Sequence, residues 1–183
     1  MTKILPIFLF GTLLLTGFNT LAQPEFDYIT LEKREILTFS KPLIKETKDK
    51  IYTIVELNGS TSMLTKAGEP ILPIICKKYE FPIGTKIKKV DVIFTGEKTL
   101  SLTKKIIPAP SPILISSGEN FEIEDIVEKK EIYSTNKLFP SKQFEYDIYS
   151  GLNGTNHVLI LNLRCFPIQY IPEKNVIYSP RIL

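Results

Sequence analysis

After residue 23 the chain consists of short segments rich in Ile, Val, Thr, Tyr and Phe, each ended by Gly, Pro, Asn or Ser. Runs of Ala and Leu at helical spacing are missing from this part of the sequence. The pattern is typical of an all-β protein, and about ten short strands at such spacing favour a two-sheet, jelly-roll-like β-sandwich. The expected strands cover residues 28–31, 35–39, 51–57, 71–81, 89–94, 99–103, 121–133, 144–148, 157–165 and 175–178.

Alternation within these segments predicts which side chains are buried. Val90, Val92 and Phe94 share one face of a strand, and residues 95–98 fit a hairpin turn leading into 99–103. Phe144, Tyr146 and Ile148 alternate with acidic residues, which predicts one buried and one wet face; residues 157–165 are apolar on both faces, as expected of a central strand.

Two segments fit the strand pattern poorly. Residues 107–112 contain three prolines, which donate no ladder hydrogen bonds, so this stretch is expected to be an extended connector or a crossing between sheets. Residues 124–131 carry dense charge and can form one or two helical turns instead of a strand.

The N-terminus has the pattern of a secretory signal peptide. Lys3 precedes an uncharged apolar run from Ile4 to Phe18, and small residues before Gln23 place the cleavage site near Ala22. As a helix the apolar run would rise roughly 22 Å, short of the roughly 30 Å hydrocarbon core, so a permanent membrane anchor is not expected. We therefore predict a signal peptide at 1–22, a β-domain at 23–183, and secretion to the periplasm or the extracellular space.

Composition excludes several classes of function. The 183 residues are about one domain, and 23 Lys and Arg against 20 Asp and Glu give a net charge of only +3, so nucleic acid is not an expected partner. A single His and two Cys are too few for most metal sites, and we expect no cofactor. His157 begins an apolar strand, where local hydrogen bonding explains it better than catalysis does.

Two pairs of residues leave alternatives open. Cys76 and Cys165 form a disulfide if the chain is exported and their Cα atoms come within reach; otherwise they are small buried apolar side chains. Asn58 and Asn153 each begin a glycosylation sequon, but the Asn-Gly pairs that they form are themselves tight-turn signals.

Several motifs, in this order, resemble the propeptide domain of gingipain-type secreted cysteine peptidases. They are GEPILP at 68–73, FPIGT at 81–85 before the alternating 90–92, PAPSP at 108–112, Ile132-Tyr133 with Phe139-Pro140, and CFPIQYIP at 165–172. The resemblance spans residues 60–178. It implies a β-rich, non-catalytic module that chaperones a gingipain-like cysteine peptidase or inhibits it by occluding its cleft.

The resemblance also implies where such a peptidase would be met. In that family a basic side chain enters the specificity pocket of the peptidase, and the candidates here are Lys129, Lys130, Lys137 and Lys142. Because the sequence ends at Leu183 without a peptidase domain, we expect the chain to act in trans, or in cis if it is a fragment of a longer precursor. The alternative is an extracellular structural or adhesive β-sandwich that binds polysaccharide or a surface protein.

Overall fold

The structure is a computed structural model that describes residues 32–37, 39–112 and 126–179. The expected signal peptide, its cleavage site and the expected strand 28–31 lie outside the described residues, as do residues 121–125 of the expected strand 121–133. Residues 32–36 belong to a separate unit, in which Arg34 Nε lies 2.9 Å from Glu32 Oε1. The unit that begins at Leu37 carries the fold.

The described residues form nine strands and one short helix, which confirms the all-β prediction. The elements are β1 (Leu43–Glu46), β2 (Thr53–Glu56), β3 (Ser62–Met63), β4 (Pro73–Pro82), β5 (Lys98–Ser101), α1 (Lys130–Tyr133), β6 (Phe144–Asn153), β7 (Asn156–Cys165), β8 (Gln169–Ile171) and β9 (Val176–Ser179). None of the helices in these residues is long and apolar enough to cross a membrane.

The strands are arranged in three antiparallel sheets. β1 and β2 form a two-stranded ribbon, the order β3-β4-β7-β6 makes a four-stranded sheet, and the order β5-β9-β8 makes a three-stranded sheet. In the described residues β1 and β2 form a ladder with each other alone and so make a small sheet of their own.

The four-stranded sheet has β7 at its centre, as the apolar run 157–165 predicts. β7 pairs with β4 from Cys165 to Val158 on one side and with β6 along its full length on the other. The predicted Asn153-Gly154 turn is confirmed: Gly154 has φ +60° and joins β6 to β7 in a two-residue type II′ turn. Gly59, with φ +87°, is the third residue of a different turn, which the Ser60 N–H closes on the Leu57 carbonyl at 3.1 Å.

Two apolar clusters hold the sheets in place. The larger lies among β2, α1, β8 and β9 and consists of Val55, Leu57, Leu72, Leu102, Ile106, Tyr133, Ile168, Tyr170 and Ile177. The smaller lies on one face of the four-stranded sheet, where Ile75, Leu163 and Cys165 are covered by the segments around Phe39 and 90–94. Phe39 packs against both clusters and stacks on Phe94, with 6.4 Å between the ring centroids.

Some local predictions are wrong. Residues 89–94 form no strand and no hairpin with 99–103, because β5 takes β9 as its only ladder partner in the described part of the chain. The alternation there still marks burial, since Val90, Val92 and Phe94 pack on the smaller cluster. Residues 130–133 are helical, which is the alternative weighed for the end of the charged segment.

Candidate docking surface

The proline-rich connector, residues 107–112, and the two residues before it are held on both sides by backbone hydrogen bonds. Thr53 of β2 donates its N–H to the carbonyl of Lys105 (2.7 Å) and accepts a hydrogen bond from the N–H of Ile107 (3.0 Å). On the other side the Gly68 N–H donates to the Ala109 carbonyl, and the Ala109 N–H donates to the Glu69 carbonyl, both at 2.8 Å. The connector is therefore extended, as predicted, and its non-proline residues supply the ladder bonds that proline cannot.

The segment before α1 lies against the same turn. The Lys129 N–H donates to the Gly68 carbonyl at 2.9 Å. Gly68 has φ +75°, and a Cβ added there would lie 3.1 Å from the Val127 carbonyl oxygen and 3.2 Å from the Lys129 Cβ. Glycine is required here for two reasons, the left-handed backbone and the close approach of 127–129.

Side chains complete this assembly of residues 67–69, 105–109 and 128–133, which we call the Gly68 clamp. Lys129 Nζ lies 3.0 Å from Oε1 of Glu69, whose side chain is only 12% exposed. Lys105 Nζ lies 2.6 Å from Glu128 Oε2 and 5.6 Å from the centre of the Tyr133 ring. The buried Tyr133 hydroxyl donates to the Ile106 carbonyl at 2.7 Å. A charged, partly buried network of this kind holds both chain segments on one turn.

The structure separates the four candidate lysines into two groups. Lys129 is bound to Glu69, and Lys142 lies 3.6 Å from Glu145 while staying exposed. Lys130 and Lys137 are exposed, and neither makes an ion pair with any residue in the described part of the chain. Lys130 begins α1 and Lys137 follows it, so both belong to the segment that Tyr133 anchors in the core.

Sequence reasoning missed the residues that fix this segment. It treated Glu128 only as part of a densely charged segment, whereas Glu128 is half-buried and paired with Lys105. It gave no role to Glu69, which accepts from both Lys66 and Lys129. The available signal was a carboxylate placed between Gly68 and an apolar run, a position where an unpaired charge would be costly.

The reactive side chains are dispersed. His157 is exposed beside the β6–β7 turn, opposite Leu152 in the ladder. Cys76 and Cys165 are free thiols on the neighbouring strands β4 and β7. No group of three or more His, Cys, Asp or Glu residues in the described segments could hold a metal ion. What this part of the molecule offers is a stiff surface with projecting lysines.

Comparison with known proteins gives a consistent result. The chain matches the family model Propeptide_C25 over residues 37–181, a range that contains all the motifs of the predicted resemblance. No curated protein matches the chain.

Solved structures share the fold. One, described as "Structural insight into zymogenic latency of gingipain K from Porphyromonas gingivalis", is 21% identical, with a TM-score of 0.57 over 78% of this chain and 77% of that one. Another, "Complex of Porphyromonas gingivalis RgpB pro- and mature domains", is 18% identical, with a TM-score of 0.54 over 79% of this chain and 71% of that one. The predicted resemblance and the expectation of a non-catalytic propeptide domain are confirmed by the family match: this chain belongs to the C25 propeptide family.

Proposed function

We propose that the chain is a secreted propeptide domain that binds a gingipain-type cysteine peptidase and keeps it inactive by covering its cleft. The observation that carries the proposal is the Gly68 clamp within a C25 propeptide fold, because the clamp fixes a lysine-bearing segment before any partner arrives. A preorganised surface loses less conformational entropy on docking than a loose one. The two similar structures, described by zymogenic latency and by a complex of pro- and mature domains, support the same partner class.

The proposal includes export and a choice among the lysines. Export requires that residues 1–22 act as a signal peptide, with the domain beginning near Gln23. Lys130 and Lys137 are better placed than Lys129 and Lys142 to enter a pocket of a peptidase, since withdrawing a lysine from an existing ion pair costs part of that pair's interaction. Blocking is steric, and it uses no reactive group of this chain.

The test measures peptide hydrolysis by a gingipain-type peptidase from the same organism while the full chain is added at increasing concentration. We expect inhibition that saturates at one chain per peptidase, because one chain would cover one cleft. A standard interface of roughly 1,600 Å² is large enough for this. Unchanged hydrolysis together with no complex in gel filtration would reject the proposal. A complex without inhibition would reject occlusion and favour assistance in folding.

Matched lysine variants test the docking residues. Lys130→Ala and Lys137→Ala should each weaken inhibition, by about tenfold or more for the lysine that enters the pocket. Lys174→Ala, an exposed lysine in the turn between β8 and β9, is the control and should leave inhibition unchanged. Equal effects of all three substitutions would show that no single lysine is recognised.

A further inference from the structure

Val127 combines an exposed apolar side chain with a closely held backbone. The residue is 67% exposed. Its carbonyl oxygen lies 3.1 Å from the position that a Cβ on Gly68 would take, and two residues further on the Lys129 N–H donates to the Gly68 carbonyl. Valine branches at Cβ, so its side chain is restricted at χ1 as well. An apolar group that is fixed in this way loses little conformational entropy when a partner buries it.

The Gly68 clamp divides residues 127–130 into inner and outer side chains. The two middle residues, Glu128 and Lys129, are held by ion pairs within the clamp. Val127 and Lys130, on either side of them, are exposed. Three residues of fully extended chain span at most about 11 Å, so the Cα atoms of these two residues lie within that distance of each other. A standard interface buries roughly 800 Å² of each partner, which is enough to include both side chains.

Lys137 has an apolar neighbour too, but that pair is held less firmly. Leu138 is 39% exposed. Residues 136–138 are all exposed, and within the described part of the chain their backbone groups make no hydrogen bond to other backbone groups. Docking of Lys137 and Leu138 therefore requires more ordering of the chain than docking of Val127 and Lys130.

We propose that Val127 is a docking residue, which enters an apolar subsite of the peptidase while Lys130 enters the adjoining pocket. This inference rests on the proposed function and makes it more specific, because it selects Lys130 over Lys137. It also requires two properties of the partner's cleft. The first is a pocket that accepts an ammonium group, and the second is an apolar subsite beside that pocket.

The two side chains contribute differently to recognition. Lys130 presents a charge, which every peptidase pocket that accepts a basic residue will attract. Val127 presents apolar surface, and moving that surface from water into an apolar subsite is favourable only where such a subsite exists. A peptidase with a polar or charged group at that place would be rejected. Val127 is therefore the residue that distinguishes among peptidases with the same preference for a basic side chain.

Inhibition by an isosteric variant of the full chain tests the proposal. Val127→Thr keeps the shape and the Cβ branch of the side chain but places a hydroxyl group in the apolar subsite, without a hydrogen-bond partner. It should raise the inhibition constant by about tenfold. Ile93→Thr is the matched control, because Ile93 is also β-branched, is 79% exposed and lies outside the clamp; it should leave inhibition unchanged. Both variants should unfold at the urea concentration of wild type, since both side chains are exposed in the free chain.

The choice of lysine is tested in the same assay. Lys130→Ala should raise the inhibition constant more than Lys137→Ala does, since Lys130 is the lysine beside Val127. If wild type binds the peptidase without inhibiting it, the dissociation constant of the complex replaces the inhibition constant, and the same differences are expected.

The outcomes separate this inference from the proposed function. Equal constants for wild type and Val127→Thr, equal effects of Val127→Thr and Ile93→Thr, or a larger effect of Lys137→Ala than of Lys130→Ala would overturn this inference alone. A wild-type chain that neither binds nor inhibits the peptidase would reject the proposed function, and this inference with it.

Discussion

At the scale of single residues, Gly68 is the position on which the clamp depends most directly. Gly68→Ala should destabilise the fold by about 1–3 kcal/mol, because the positive φ is strained for alanine and the new Cβ crowds the Val127 carbonyl and Lys129. Chemical denaturation gives the change in unfolding free energy.

Gly84→Ala separates these two causes. Gly84 has φ +89°, and a Cβ there would meet nothing within 4 Å, so this substitution carries the backbone strain alone. The loss at Gly68 should exceed the loss at Gly84. Equal losses would mean that segment 127–129 yields to the methyl group at no cost, and that the clamp is looser than its hydrogen bonds indicate.

The two cysteines provide a second prediction at this scale. Cys165 pairs with Ile75 and Cys76 with Arg164, so the thiols lie on adjacent strands but on opposite faces of the sheet. This geometry favours free thiols over the disulfide. Burial raises the pKa of the Cys165 thiol, and nearby Cys76 adds to the rise, so Cys165 should react slowly.

Thiol labelling of protein purified without reductant checks this expectation. The half-exposed Cys76 should react in the folded protein, and Cys165, which is 2% exposed, only after unfolding, so that two thiols per chain are labelled in denaturant. A Cys76→Ser variant assigns the fast reaction. Absence of labelling in denaturant before reduction would establish a disulfide.

At the scale of elements, the sequence predicts a strand's position in its sheet where that position depends on burial, but it does not predict which strands pair. β7 stands at the centre of its sheet because its apolar residues need cover on both faces, a property visible in the sequence. The sequence does not reveal that β5 pairs with β9, which lies about 75 residues further along the chain. Ladder hydrogen bonds join backbone groups, which every residue except proline has, so side chains do not identify the partner strand. Burial is also mispredicted at one place: Tyr146 and Ile148 were expected on a buried face but are 43% and 42% exposed. Alternation shows which side chains share a face of the strand, but not whether another part of the chain covers that face.

Residues 89–94 show this distinction within a single segment. Val92→Asp should cost about 1–2 kcal/mol of unfolding free energy, because Val92 is half-buried against the smaller apolar cluster although it makes no ladder. Ile93→Asp, at the neighbouring exposed position, should change stability by less than about 0.5 kcal/mol. Thermal or urea denaturation of the two variants compares them directly, and equal losses would show that Val92 is not packed against the smaller apolar cluster.

At the scale of the whole molecule, the candidate site could be predicted only in part. Ordered motifs identify the propeptide family and select four lysines, but which of them are available depends on contacts between segments distant in sequence. Lys129 is paired with Glu69, which is 60 residues away in the sequence. The hydrogen bond from the Tyr133 hydroxyl to the Ile106 carbonyl holds α1 in place. The same large core that fixes the sheets therefore fixes the surface that we propose for docking.

That core should make the fold sensitive to alkali. Burial raises the pKa of Tyr170 to about 12 and raises that of Tyr133 well above its ordinary value near 10. Their neutral forms are preferred in the folded state, so the stability they contribute is complete below pH 10 and is lost as pH rises toward and beyond 12, because unfolded phenols ionise first. Each tyrosine makes the unfolding free energy fall by about 1.4 kcal/mol per pH unit above pH 10.

Tyr133→Phe should cost about 1–2 kcal/mol of unfolding free energy at neutral pH by leaving the Ile106 carbonyl without its donor. Above pH 10 the variant should lose stability less steeply than wild type, because it has one fewer buried tyrosine to ionise. Urea unfolding at a series of pH values measures both the loss at neutral pH and the slope above pH 10. Lysines titrate equally in the two proteins, so they do not affect the comparison. If the unfolding free energies of wild type and variant ran parallel above pH 10, Tyr133 would ionise in the folded protein as easily as in the unfolded chain.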